Sequence, residues 1–336
     1  MLLLLLISLL VTCRADWSGL FESLQALPLP YSSLPNASLT LPTLTAATQI
    51  LIVGGRGISA SIARIFVNLG ATVSVTTTSL AGYSLAANGL PTSVNVFELE
   101  YGTDDEERNY RHLVRVYRER MGARNPDYIV DCGLTVYSGN TVDFDATMRR
   151  RAMRMYIEDP IGLEEAFLAH NDPNQRVIHS SCLSTAGFNP APLFQEFYDT
   201  GKQFKFSHIL GSNAAQLHPN WLRVGVACSF TNTTWYLTAQ NPSVAKGDKL
   251  QIAFQAIIAG ATSQGNSPDT VALAHAQALL LRQELNDETL FLSEPPAGTA
   301  FSQAFNWART YLTGKQYVTF FQQFALAALH LNLTDH

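Results

Sequence analysis

The chain has 336 residues, 47% of them apolar, and a formal net charge of −5. That is enough apolar sequence to bury a large core in one main domain, and the acidic balance leaves no basic footprint, so nucleic acid is excluded as the expected partner. Four cysteines, at 13, 132, 182 and 228, are few for this length. They indicate neither a disulfide framework nor a metal site, and three lie in or beside predicted buried strands, where cysteine serves as a small apolar residue.

The apolar run from Met1 to Val11 is too short to span a bilayer as a helix, and Thr12-Cys13-Arg14-Ala15 ends in residues that suit a signal peptidase, although no basic residue precedes the run. Residues 1–15 therefore read as a signal peptide or a short membrane anchor. Trp17, Leu20, Phe21, Leu24 and Leu27 then form an apolar stripe before a Pro/Ser/Thr-rich stretch, so 16–47 reads as a linker with a helix that lies on a membrane or packs on the domain. Sequons at Asn36, Asn232 and Asn332 would accept glycans only on the lumenal side.

From Gln49 to Thr76 the pattern is strand, glycine turn, helix, strand. Ile50 to Val53 is a continuous apolar run suited to a strand covered on both faces; Ile58, Ile62, Ile65, Phe66 and Leu69 recur at helical spacing, and Gly70 stops the helix. The turn Gly54-Gly55-Arg56-Gly57-Ile58-Ser59 puts small residues where the backbone must bend and where a pyrophosphate could meet the amides of a helix start; without a ligand it is a plain glycine-rich turn. A third strand is expected over 94–98, then a helix through Arg120 opened by Thr103 and Glu106 at capping-box spacing, and a fourth strand from Tyr128 to Asp131. Arg149, Arg150 and Arg151 sit in a helical segment as a solvated face or an anion site. Another helix ends near His170, a fifth strand covers 176–180, and a sixth covers Leu222 to Ala227. Strands alternating with helices predict an α/β fold, a doubly wound parallel sheet with ligands at the carboxyl ends of its strands.

Ser267-Pro268-Asp269 opens a helix through Val271, Ala274, Ala278 and Leu281. The main domain is read as 48–293. Beyond it, 294–336 is an apolar segment that forms either a membrane-contact flap or a core helix.

Tyr198 and Lys202 are four residues apart on one expected helix face, so both side chains could enter one cleft. An ammonium beside a phenol favours phenolate, which suits the phenol to giving a proton to an oxygen that gains charge as a hydride arrives. Ser184 at the end of the fifth strand could hydrogen-bond the same oxygen, with Ser181 as the alternative. Thr77 and its neighbours close the second strand without an acid that would repel a 2′-phosphate, and Arg56 could pair with that phosphate or simply face solvent. NADPH is the expected cofactor.

In order and spacing, the glycine turn, Asp131-Cys132-Gly133, Ser184-Thr-Ala-Gly187, Tyr198-x-x-x-Lys202 and Trp221-Leu-Arg-Val-Gly225 resemble the short-chain dehydrogenase/reductase family. Within it the chain is most similar to the 3-ketodihydrosphingosine reductases, through its apolar N-terminus, the segment after the fourth strand, Ser267 to Ala274 and the apolar tail. The resemblance implies a Rossmann-like fold, Tyr198 as acid, Lys202 on the nicotinamide ribose, Ser184 on the substrate carbonyl and Glu100 near adenine. Asp131, Cys132 and Gly133 would lie along the cofactor, and Thr231 and Thr233 would meet its carboxamide. It further implies a long-chain lipid ketone as substrate, a membrane surface as partner, an endoplasmic reticulum location with the catalytic domain cytosolic, and leaves a homodimer open. The departures are two residues instead of three between Gly54 and Gly57, Ser59 for the last glycine, Asp131 for an asparagine, Tyr156 or a neighbour for the relay asparagine, and Ser229-Phe230 for Pro-Gly. A cofactor-binding protein without turnover, and a lumenal or secreted reductase of a sterol, retinoid or polyol, are the other readings.

Overall fold

The computed structural model describes residues 41–133, 137–184, 196–211, 220–228, 231, 241–249, 251–252, 255, 266–280 and 288–291. The apolar leader, the stripe at 17–27 and the tail beyond 291 lie outside these residues. Among the described residues no helix is long and apolar enough to cross a membrane.

The strands are β1 (Gln49–Val53), β2 (Thr72–Thr77), β3 (Asn95–Glu98), β4 (Tyr128–Asp131), β5 (Val177–Ser184), β6 (Trp221–Cys228) and β7 (Glu288–Phe291). They form one sheet in the order β3-β2-β1-β4-β5-β6-β7. Every pairing is parallel. The order reverses between β1 and β4, which opens a crevice above the carboxyl ends of those two strands. β7 was not expected from the sequence, and it extends the sheet by one strand.

Successive β1 side chains enter opposite layers. Ile50 and Ile52 join Phe66 of α1 (Ile58–Asn68) and Val271 and Leu279 of the last described helix. Leu51 and Val53 join Leu113 of α2 (Tyr110–Arg120), Leu163 and Trp221. Burial on both faces is why this strand reads as an unbroken apolar run instead of an alternating one. α3 (Ala146–Met153) continues through a π-helical turn at Arg154–Glu158 into α4 (Asp159–Leu168). α5 (Glu196–Gly211) packs on the same face, and α6 (Pro268–Leu280) packs beside α1 on the other.

Two expected boundaries move. Thr103 does not cap α2: its Oγ1 accepts from the Asp105 amide, and Asp105 and Glu100 hold Arg108, so 103–108 is an ion-paired turn. Asn109 is the cap, its Oδ1 accepting from the His112 amide at 3.0 Å. β5 runs on to Ser184, four residues past the predicted end, because β6 pairs with it throughout. The α6 start is as read, with Ser267 Oγ accepting from the Thr270 amide at 3.1 Å. The arginine run is mostly engaged in structure: Arg149 donates to the Phe144 carbonyl, and Arg151 pairs with Glu100.

A buried polar cluster ties the second layer together. The Glu164 carboxylate accepts from Trp221 Nε1 at 2.6 Å, Arg223 Nε at 2.5 Å and His208 Nε2 at 3.0 Å, and faces His179 Nδ1 at 3.6 Å. Burial alone would push this carboxyl up, but His179, His208 and Arg223 outweigh it and hold it well below the ordinary glutamate range.

Candidate active site

The turn after β1 is shaped by its glycines. Gly54 has φ 103°, and a Cβ there would sit 2.6 Å from Ser59 Oγ. The Gly54 amide donates to Thr76 Oγ1 at 2.8 Å, which ties the turn to the end of β2. Gly57 is the N-cap of α1 and no side chain caps that helix; the Ser59 amide donates to the Arg56 carbonyl at 3.1 Å, and the uncapped helix start adjoins the cleft as an anion seat would require. Opposite, a Cβ on Gly133 would meet Val53 Cγ1 at 2.7 Å, so both walls approach only because both lack side chains.

These elements enclose a cleft of about 580 Å³ lined by Gly54, Gly55, Arg56, Ser59, Thr77, Glu100, Cys132 and Gly133 among others. All eight were singled out from the sequence. Gly57 and Ile58 form the adjoining helix start without entering the lining. Thr231 makes a parallel bridge to Asn266 and is buried, away from this lining. Thr233 and the Ser184 side chain fall outside what is described, while the Ser184 backbone closes β5 opposite Cys228. Glu100 is in place beside the cleft, but its carboxylate is held by Arg108 at 2.7 Å and by Arg151. Arg151, from the run read as a solvated face or an anion site, also lines the cleft, and so do Arg108, Tyr83, Tyr137 and Met155, which were not anticipated. Tyr83 donates to the Gly55 carbonyl at 2.7 Å and so braces the glycine turn from a loop that carries no motif.

The second half of the site stands at the ends of β4 and β5. Lys202 is buried, its Nζ donating to the Cys182 carbonyl at 2.7 Å and lying 5.5 Å from the centre of the Tyr198 ring. Tyr198 stands edge-on to Tyr156, with ring centres 6.0 Å apart. The Tyr156 hydroxyl accepts from the Tyr137 amide at 2.7 Å, and Tyr137 lines the cleft. The tyrosine and lysine are thus on the same end of the sheet as the glycine turn, one side chain behind the described lining. Gly201 makes this possible, since a Cβ there would lie 2.5 Å from Tyr156 Cβ. Its signal was present inside Tyr198-Asp-Thr-Gly-Lys202 and was overlooked.

Asp131, at the end of β4, is buried. Its Oδ2 pairs with buried Lys205 at 2.7 Å, and Oδ1 has no partner among the described residues. Beside it, the Cys182 thiol is held well below the usual thiol range by a hydrogen bond from Cys132, against burial, with help from His275 and Lys202.

No protein-family model and no curated protein matches the sequence. Solved structures do match the fold. A short-chain dehydrogenase from Burkholderia cenocepacia, solved in complex with NADP, aligns at 20% identity over 77% of this chain and 99% of its own, with a TM-score of 0.55. A 3-ketoacyl-(acyl-carrier-protein) reductase from Brucella melitensis complexed with NADH aligns at 16% identity over 73% and 96%, with a TM-score of 0.57. A short-chain dehydrogenase/reductase from Serratia marcescens aligns at 18% identity over 74% and 97%, with a TM-score of 0.55. The chain therefore has the fold of the short-chain dehydrogenase/reductases, a Rossmann-like parallel sheet of order 3-2-1-4-5-6 with a seventh strand beside β6.

Proposed function

We propose that the chain is an NADPH-dependent reductase of the short-chain type, acting on the ketone of a long-chain lipid. One observation carries the reading: the glycine turn at the start of α1 and the Tyr198/Lys202 pair on α5 stand at the same end of one parallel sheet, on either side of its switch point.

The residues present fit a dinucleotide. Gly54 and Gly133 leave room that a Cβ on either would fill, and the uncapped start of α1 suits a pyrophosphate. Three arginines, Arg56, Arg108 and Arg151, border the cleft against the single acid Glu100, which is already paired. That surplus favours the extra 2′-phosphate of NADPH over the plain ribose of NADH. When bound, NADPH supplies the hydride for the carbonyl carbon. Tyr198 gives the proton to the carbonyl oxygen, and buried Lys202 offsets the charge left on the phenol. Ser184, or Ser181, orients that oxygen.

The lipid substrate, 3-ketodihydrosphingosine in its most specific form, rests on the sequence resemblance and on the apolar ends of the chain. So do the membrane surface as partner, the endoplasmic reticulum location with a cytosolic catalytic domain, and a homodimer. Incubation of the full chain with NADPH and a ketone panel that includes 3-ketodihydrosphingosine, followed by nicotinamide absorbance, tests the reading: oxidation of NADPH with that ketone is expected, and its absence across the panel contradicts it.

A second reading, cofactor binding without turnover, is favoured by one feature. Tyr156 or a neighbour stands where the family has its relay asparagine, and the Tyr156 hydroxyl accepts from the Tyr137 amide, so the amide group of that relay is missing. Saturable NADPH binding with no oxidation against any ketone would select it.

A further inference from the structure

We propose that Cys132, Cys182 and His275 form a binding site for a soft divalent cation of the zinc class, at the floor of the crevice where β4 and β5 end. The proposal is independent of the reductase reading. Parallel pairing sets Asp131 beside Ser181, so the next residues, Cys132 and Cys182, are neighbours across the two strands. α6 then brings His275 onto them. Cys132 Sγ is 3.8 Å from His275 Nε2, and all three donor atoms lie within 4.8 Å of one another. Tetrahedral zinc, with Zn–S about 2.3 Å and Zn–N about 2.0 Å, holds sulfur and nitrogen roughly 3.5 Å apart and two sulfurs roughly 3.8 Å apart. Only a small contraction separates the observed cluster from that geometry.

The imidazole is set for the task. His275 is fully buried, and its Nδ1 lies 2.7 Å from Ser180 Oγ, which leaves Nε2 toward the thiols. A hydrogen bond to the far ring nitrogen is the usual means by which a metal-binding histidine is oriented. Cys132 also lines the open cleft, which gives an ion its way in. Two thiolates and a neutral imidazole neutralise a dication, and thiolate donors select zinc-class ions over magnesium or calcium. Among the described residues these three are the whole donor set, the two-cysteine, one-histidine set that leaves a fourth position for water. Binding forms two metal–sulfur bonds and one metal–nitrogen bond and releases to solvent the proton held between the two sulfurs, with no change of oxidation state.

The test is a titration of the reduced full chain with Co²⁺, followed by Zn²⁺. One equivalent of Co²⁺ should bind with a thiolate-to-cobalt band in the near ultraviolet and intense tetrahedral bands in the visible, which Zn²⁺ bleaches and excess Mg²⁺ does not. About one proton should leave per ion. Cys182→Ser and His275→Gln should each weaken binding at least ~100-fold, Ser180→Ala by about 10- to 100-fold, and Cys13→Ser should leave the spectrum unchanged. The proposal is overturned if the unsubstituted chain takes up no metal, binds cobalt without the sulfur band, or binds equally well as Cys182→Ser. Should the variants fail to fold, the spectrum of the unsubstituted chain decides by itself.

Discussion

The two halves of the crevice are built by different means. On the β1–β2 side, the glycine turn comes from one short stretch, and its shape is set mainly by backbone, with two side-chain ties: Gly54 at φ 103°, an uncapped helix start at Gly57, the Gly54 amide on Thr76 Oγ1, and Tyr83 on the Gly55 carbonyl. On the β4–β5 side, each group depends on partners far away in sequence: Lys205 on Asp131, Tyr137 on Tyr156, and His275 beside Cys132 at a separation of 143 residues. A locally determined half is set by short-range geometry, whereas a half assembled from distant elements depends on the partners that the fold brings to it.

Substitutions probe that contrast. The largest effect is expected from Tyr198→Phe, which should lower the rate of ketone reduction by about 10²- to 10⁴-fold while leaving the NADPH dissociation constant nearly unchanged. Steady-state kinetics beside a fluorescence titration would show it, and retained activity would remove Tyr198 as the proton donor. Next is Glu164→Ala, which strands buried Arg223 and should cost roughly 3–5 kcal/mol in urea unfolding. The same carboxylate sets an acid limit. Because its folded pKa lies below the unfolded value, its contribution is complete above the ordinary glutamate range near ~4.3 and disappears as pH falls through the folded value. Glu164→Gln should therefore flatten the stability profile on the acid side, as measured by unfolding between neutral and acidic pH.

Smaller effects belong to the local half. Gly54→Ala forces a side chain into a positive φ and against Ser59, at about 1–3 kcal/mol, and should weaken NADPH binding together with thermal stability. Arg56→Gln leaves the fold intact and should narrow the preference for NADPH over NADH by about 10-fold, a comparison of two dissociation constants; an unchanged ratio would mean Arg56 serves only the Gly82 carbonyl it now touches. Smallest is Asn109→Ala, about 1 kcal/mol by removal of the α2 cap.

The same contrast explains what the sequence disclosed. β1, α1 and β2 were legible because apolar runs, helical spacing and glycines report local geometry directly. The α2 cap was misplaced because Thr103 and Glu106 have the right spacing, yet Asp105 and Glu100 both hold Arg108, so the chain closes as an ion-paired turn before the helix that Asn109 caps. β7 is only four residues, Glu288–Phe291, and becomes a strand by pairing with β6. No spacing rule joins Cys132, Cys182 and His275, since it is the sheet and α6 that bring them together. Of the candidate site, the glycine turn and the Tyr198/Lys202 couple could be read in advance. The pairing of Arg108 and Arg151 with Glu100, the Tyr83 brace and the Asp131–Lys205 pair could not.

The central claim is that the crevice between the glycine turn and the Tyr198/Lys202 pair holds a nicotinamide dinucleotide. Equilibrium titration of the folded full chain with NADPH, read by nicotinamide fluorescence, tests it most directly. A saturable, blue-shifted enhancement that NADP⁺ competes away and Gly54→Ala weakens is expected; a chain that is folded by circular dichroism yet leaves the NADPH spectrum unchanged holds no dinucleotide there, and the assignment fails.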